Sequence, residues 1–183
     1  PMPYVTATQL LKNAQKGGYA VGAFNIENME MACAVVQQAQ EMRAPVMLQT
    51  TPSTVRYASL TLFRAMVEAI AAQAQVPVAL HLDHGSSFEL AMDALDAGYS
   101  SIMIDGSALP FAQNIALAQR VVERCAPRAI PVEAELGKVG GKEDDLQVAD
   151  AGYTDPHDAA VFVQQTKITS LAVSIGTAHG IYR

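Results

Sequence analysis

Tryptophan is absent from this 183-residue chain, aromatic residues make up only 6% of it, and cysteine occurs twice, at Cys33 and Cys125. Two distant cysteines with no Cys-x-x-Cys pair exclude a disulfide-framed secreted module, so a reducing, cytoplasmic setting is expected, with helix packing as the role of both thiols. Basic residues are also scarce: 12 Lys and Arg against 18 Asp and Glu give a formal net charge of −6. No cationic stripe exists to track nucleic-acid phosphates or an anionic membrane. Every apolar run is interrupted well short of the roughly 18 residues of a membrane span. The N-terminus carries no basic-then-apolar leader, which reads as the start of a mature, soluble chain. No GxSxG elbow, Walker loop or dinucleotide fingerprint is present, which disfavours serine-nucleophile and nucleotide chemistry. The lysines are Lys12, Lys16, Lys138, Lys142 and Lys167, none inside an apolar strand where desolvation would lower its pKa, so Schiff-base chemistry is disfavoured too.

What is present is a rhythm of short β-rich runs and longer helical periods. Half of the residues are hydrophobic, enough for one sizeable core and one domain spanning residues 1–183. An opening helix over Thr6 to Lys16 is closed by Gly17-Gly18. Strands are expected at Tyr19 to Ile26, Pro45 to Thr50, Val76 to His84, Ser101 to Gly106, Ala129 to Leu136 and Ser170 to Gly176. Helices are expected at Met29 to Met42, Leu60 to Gln75, Phe88 to Ala97, Phe111 to Cys125 and Pro156 to Lys167. Several strands are nearly continuous apolar text, the mark of parallel strands covered on both faces. Polar residues cluster where strands end, at Asn25, Thr50-Thr51, Asp83-His84, Asp105, Glu133 with Glu135, and His179. A (β/α)8 barrel gathers its functional groups on that face. Six strands are countable where such a barrel has eight and about 250 residues, so the expectation is a TIM barrel truncated after strand six, its C-terminal two βα units absent.

The chemistry-bearing groups are divided between two strand ends, His81-Leu82-Asp83-His84-Gly85 and Gly176-Thr177-Ala178-His179-Gly180. An imidazole beside a carboxylate, with a second imidazole arriving on another strand, suits a divalent metal flanked by an acid/base group. Asp83-His84 taken alone equally suits a hydrogen-bonded turn capping the next helix. His81 shares the Asp83 face by the two-residue strand period and reads as a packed or supporting histidine. Glu133 and Glu135 share a face by the same period; two like charges inside a barrel need a cation or donors to neutralise them, or a salt bridge at the strand end. The segment Gly137 to Asp145 reads as a mobile, glycine-hinged loop that carries an acid or base, or else as a solvated surface loop.

Taken in order, Gly22-Ala23-Phe24-Asn25, His81-Leu82-Asp83-His84-Gly85, Met103-Ile104-Asp105-Gly106-Ser107, Val132-Glu133-Ala134-Glu135-Leu136-Gly137, Gly140-Gly141-Lys142-Glu143-Asp144-Asp145, Tyr153-Thr154-Asp155-Pro156 and Gly176-Thr177-Ala178-His179-Gly180 resemble the class II, metal-dependent ketose-bisphosphate aldolases. The resemblance is collinear over the whole chain. It implies a zinc (β/α)8 barrel, a lyase of carbohydrate metabolism and glycolysis, that cleaves fructose or tagatose 1,6-bisphosphate to dihydroxyacetone phosphate and glyceraldehyde 3-phosphate. By that resemblance His84 and His179 are two of three Zn2+ ligands, with Asp105 and Glu135 as carboxylates at the metal. Asp83 is then the acid/base at the C4 hydroxyl and Glu143 the loop residue that exchanges the proton on the triose side. Asn25, Thr51 and Gly180 fall at substrate-binding positions, and a monovalent cation, Na+ or K+, is expected near Gly180. The expected assembly is a homo-oligomer, dimer or tetramer. The family's third zinc histidine and a further Asn-containing strand end have no counterpart here. Thr51-Pro52 leans towards the tagatose type, and the rival reading is a non-catalytic truncated homologue or assembly subunit of the same fold.

Overall fold

In the computed structural model, backbone is described for residues 3–138, 140–143, 146–148, 152–176 and 178–179, and side chains for residues 3–138 and 152–176. The elements run α1 Ala7–Gly17, β1 Gly22–Asn25, α2 Met29–Met42, β2 Val46–Thr50, α3 Pro52–Ala58, α4 Leu60–Gln73, β3 Val78–Gly85, α5 Phe88–Ala97, β4 Ser101–Ile104 and α6 Phe111–Cys125. After a 3-10 turn at Ala126–Arg128 come β5 Val132–Leu136, β6 Gly140–Glu143, β7 Leu146–Val148, α7 Pro156–Thr166, β8 Ser170–Val173 and β9 Ala178–His179. Six strands form one parallel sheet in the order β1-β2-β3-β4-β5-β8. They are six strands of a (β/α)8 barrel in chain order.

Strand alternation divides this sheet into two faces. Leu48, Val78, Leu80, Leu82, Ile102, Ile104, Val132 and Ala134 are buried outward in the main core, which the helices complete with Val36, Phe63, Val67, Leu95, Val121 and Phe162. The inward set begins with Met47 and Ala79, on which α1 lays Ala7 and Leu10. That helix therefore plugs the N-terminal end of the barrel, and the residues further along the inner face are left for chemistry. Side chains two strands apart meet there: Asn25 on β1 reaches Asp83 on β3, and His81 on β3 approaches Glu133 on β5. In a flat sheet those strands would stand nearly 10 Å apart, so the contacts follow from the curvature of the sheet towards this face.

Local chemistry fixes the helix starts. Asn28, Thr51, Ser59 and Ser87 each accept from the backbone N–H three residues on, and Asp155 accepts from His157 and Asp158 ahead of a Pro at the first turn. Such caps are worth about 1 kcal/mol each. Besides shorter fifth and sixth sheet strands, Val132–Leu136 and Ser170–Val173, the structure differs from the sequence reading at four places. The first strand is four residues long rather than running from Tyr19, because it is an edge strand with all four residues exposed. Thr51-Pro52 opens an additional helix, α3. The glycine-rich segment expected as a loop contains an antiparallel pair, β6 with β7, and β9 lies parallel to β6 with Gly141 opposite His179. Cys125 is buried in helix packing as expected, whereas Cys33 is exposed. Among the described residues no helix is long and apolar enough to cross a membrane.

Candidate active site and metal centre

A backbone irregularity brings the two adjacent residues Asp83 and His84 to the same place. Leu82 pairs with Ile102 and Gly85 with Ile104, so β3 spends three steps where β4 spends two. Strict alternation would point Asp83 inward and His84 outward. The added residue is a β-bulge, and His84 takes the left-handed conformation, φ 48°, which turns its ring onto the inner mouth. A non-glycine residue held there stores backbone strain, a feature that concentrates at functional sites. Gly85 completes the bulge because a Cβ at that position would stand 2.3 Å from the Met103 carbonyl oxygen.

His84 then meets two carboxylates from the ends of the next strands. Its Nδ1 lies 2.9 Å from Asp105 Oδ2 and 3.6 Å from Glu135 Oε2. One ligand atom from each of the three residues lies within 4.8 Å of the others. Ligand atoms in a tetrahedral zinc shell are separated by about 3.4 Å, so small side-chain adjustments close this set on one ion. Burial lowers the affinity of the His84 ring for a proton, but the Asp105 hydrogen bond and the charges of Asp83, Glu135 and Asp105 outweigh it and raise the pKa to about 9. Burial likewise opposes ionisation of Asp105, yet hydrogen bonds from His84 and Ser107 leave its pKa below the ordinary carboxylate value. The pocket is thus built to hold positive charge, and its mixed nitrogen and oxygen donors fit a divalent ion such as Zn2+.

Asp83 sits beside this cluster, 7% exposed. Asn25 Nδ2 donates to Asp83 Oδ2 at 2.8 Å, and Gln49 Nε2 donates to Asn25 Oδ1 at 3.1 Å. A relay of amides thereby fixes the carboxylate from the far side. Beneath it His81 is fully buried, its Nδ1 2.7 Å from Ser101 Oγ and its Nε2 3.6 Å from Glu133 Oε2. Burial is the main cause that pushes the His81 pKa down to about 4, so the ring is neutral near pH 7 and its approach to Glu133 is a polar contact rather than an ion pair. Burial also raises the Glu133 pKa, reinforced by the charge of Asp83. His81 is the packed, supporting histidine that strand alternation implied.

Of the remaining site candidates, only Thr51 has a described side chain. The Thr51 hydroxyl caps α3 and is 3.1 Å from Ser53 Oγ and 3.0 Å from Thr54 Oγ1. Glu143 and His179 are described only as backbone, in β6 and β9, and Gly180 lies outside the described residues. Thr154, which the sequence offers only within the Tyr153-Thr154-Asp155-Pro156 motif and with no role, is a structural residue: its hydroxyl donates to the Leu136 carbonyl and accepts from Ser174 N at 2.8 Å. It joins the ends of β5 and β8 at the base of the β6–β7 hairpin. Gln49 was passed over, although its place on the strand residue beside Asn25 was a usable signal.

Residues 5–183 match the sequence profile of the family described as Fructose-bisphosphate aldolase class-II. The chain belongs to the class II fructose-bisphosphate aldolase family. Solved aldolase structures agree. The YdjI aldolase of Escherichia coli K12 is 37% identical with a TM-score of 0.86, and the match covers 98% of this chain and 63% of that one. A candidate fructose-1,6-bisphosphate aldolase of Coccidioides immitis is 33% identical with a TM-score of 0.88, covering 96% and 62% of the two chains. The fructose-bisphosphate aldolase of Campylobacter jejuni shares the fold at 23% identity and a TM-score of 0.78, covering 98% and 60%. This aldolase-family chain therefore spans less than two thirds of the length of these relatives.

Proposed function

We propose that this chain carries the acid/base carboxylate and most of the metal seat of an enzyme that cleaves, and in reverse condenses, a ketose 1,6-bisphosphate, fructose or tagatose. The observation that carries the reading is Asp83 held by Asn25 beside the His84, Asp105 and Glu135 donor set at adjoining strand ends. His84, His179, Asp105 and Glu135 are the residues we assign to Zn2+, which when bound supplies Lewis-acid polarisation of the ketone oxygen of the substrate. The remaining work falls to the chain itself. Asp83 has one oxygen committed to Asn25 and uses the other to take the proton of the C4 hydroxyl as the C3–C4 bond breaks. The bonding electron pair stays on C3 of the ketone fragment, glyceraldehyde 3-phosphate departs with C4, and Glu143 delivers a proton to C3 to give dihydroxyacetone phosphate. Asn25, Thr51 and Gly180 are assigned to substrate, with a monovalent cation near Gly180. The reading further takes the working protein to be a cytoplasmic homo-oligomer in which two more βα units complete the single barrel domain.

The test is direct cleavage of both bisphosphates, followed through triose phosphate release, before and after treatment with a chelator and after Zn2+ is restored. Turnover that disappears with the chelator and returns with Zn2+ is expected. Turnover indifferent to the chelator would overturn the metal reading. No turnover of either sugar by the metal-loaded protein would favour a non-catalytic member of the same fold.

A further inference from the structure

The carboxylates of Asp105 and Glu135 repel one another, so something besides their own strands must hold them at a distance that suits one ion. Asn114, in the first turns of α6, is in position to do so. It is 2% exposed, and its Nδ2 donates to the Glu135 carbonyl oxygen at 2.8 Å. The strand pattern explains why that carbonyl needs an outside donor. Ile102 N donates to the Pro131 carbonyl, and alternate residues of a strand point the same way, so the Glu135 carbonyl faces the β4 side. By that level β4 has ended at Ile104. Asn114 supplies the N–H that the neighbouring strand no longer provides.

The other end of the same amide abuts the residue after Asp105. A Cβ added at Gly106 would stand 2.3 Å from Asn114 Oδ1 and 2.9 Å from its Cγ. Among the described residues that oxygen has no hydrogen-bond partner. An unpaired buried acceptor is costly, so the amide is held here by its bond to Glu135 and by close packing rather than by bonds at both ends. One rigid planar group is thus bonded to the backbone at Glu135 and packed against the backbone beside Asp105.

We propose that Asn114 is a positioning residue that sets the separation of the Asp105 and Glu135 carboxylates and thereby the affinity of the site for a divalent ion. The proposal rests on the metal reading above. Its test is titration of Co2+ and Zn2+ into the metal-free full chain, with the visible spectrum of bound Co2+ as a readout of coordination geometry. Asn114→Ala is expected to weaken binding by roughly 10- to 100-fold, the range found for supporting residues around a metal, and to shift the Co2+ bands. Gly106→Ala approaches the same contact from the other side and is expected to weaken binding in the same direction. The pair is expected to be non-additive, the double variant binding no worse than Asn114→Ala, because removing the amide makes room for the added methyl.

The outcomes separate the two ideas. If the unaltered protein binds neither ion, the metal reading itself fails. If it binds them and both variants bind with the same affinity and spectrum, Asn114 is a packing residue and the proposal is overturned, whatever happens to the melting temperature. Should Asn114→Ala fail to fold, Gly106→Ala decides alone, since it keeps the amide and displaces it.

Discussion

Asn25 Nδ2 lies 2.8 Å from Asp83 Oδ2, so a side chain on β1 reaches over β2 to hold a carboxylate on β3. The contact commits one Asp83 oxygen to a neutral donor and fixes the plane of the carboxylate. Asp83→Ala is expected to lower kcat for cleavage by roughly 10²- to 10⁴-fold, as removal of an acid/base group does. Asn25→Ala is expected to lower it by about 10- to 100-fold, in keeping with loss of one hydrogen bond to a charged group. In the double variant the part of the Asn25 effect that acts through Asp83 should vanish, leaving only what its assigned contact with substrate contributes, and steady-state kinetics on the four proteins would show it.

Gly85→Ala should be far more damaging than its size implies. The new methyl would meet the Met103 carbonyl at 2.3 Å, backbone that cannot step aside. The β3–β4 ladder must open, with an expected loss of about 1–3 kcal/mol in stability. Because His84 rides on the same bulge, metal affinity measured by calorimetry should fall together with the urea midpoint. A variant that loses one and keeps the other would refute the coupling.

His81 predicts an acid-sensitive fold. Its folded pKa is about 4 against about 6.5 for an unperturbed histidine. The unfolded chain therefore binds the extra proton first, and stability present above pH 6.5 is lost as pH falls towards 4. The contribution is on the order of 3 kcal/mol. In His81→Asn that part of the decline should be missing when urea midpoints at pH 7 and pH 4.5 are compared.

The outer edges of β1 and β8 predict association. Phe24 is 48% exposed on β1, and Ile175, just past β8, is 75% exposed. Among the described residues neither strand has a second neighbour, and unpaired apolar edges recruit other chains. The 183-residue polypeptide alone should form concentration-dependent oligomers in light scattering. Ile175→Lys should reduce them, and two further βα units supplied in trans should suppress them.

The parallel barrel layout was legible because buried strands write themselves as continuous apolar runs, and Val78 to Leu82 or Ile102 to Ile104 have no helical period to confuse them. Asp83, Asp105 and Glu135 were legible as site candidates because each is a polar residue where such a run ends. What stayed hidden was hidden for physical reasons. α3 is short and begins at Thr51, whose hydroxyl suits a ligand and a helix cap equally well. The β6–β7 pairing is written in glycines and charges with little β-propensity. Asn114 carries no signal at all, since one polar residue in an amphipathic helix reads as exposed until the strand ends above it are in place. Cys33 and Cys125 looked alike in sequence and differ only in which side of their helices faces the sheet.

The extra residue in β3 also constrains how this protein can change. Counted from Val78, the positions that face the barrel interior follow a simple alternation up to Leu82; beyond it the count shifts by one, and Asp83 and His84 become seatmates. Deleting any single residue between Leu82 and Gly85 would restore a straight ladder and a plausible strand, yet only one of the two side chains could remain inside. Substitutions can change the Asp83 carboxylate and the His84 imidazole separately, but a change in length here trades one for the other. Such a deletion would keep the barrel and take one of the two groups out of its mouth, an outcome no inspection of hydrophobic pattern would foresee.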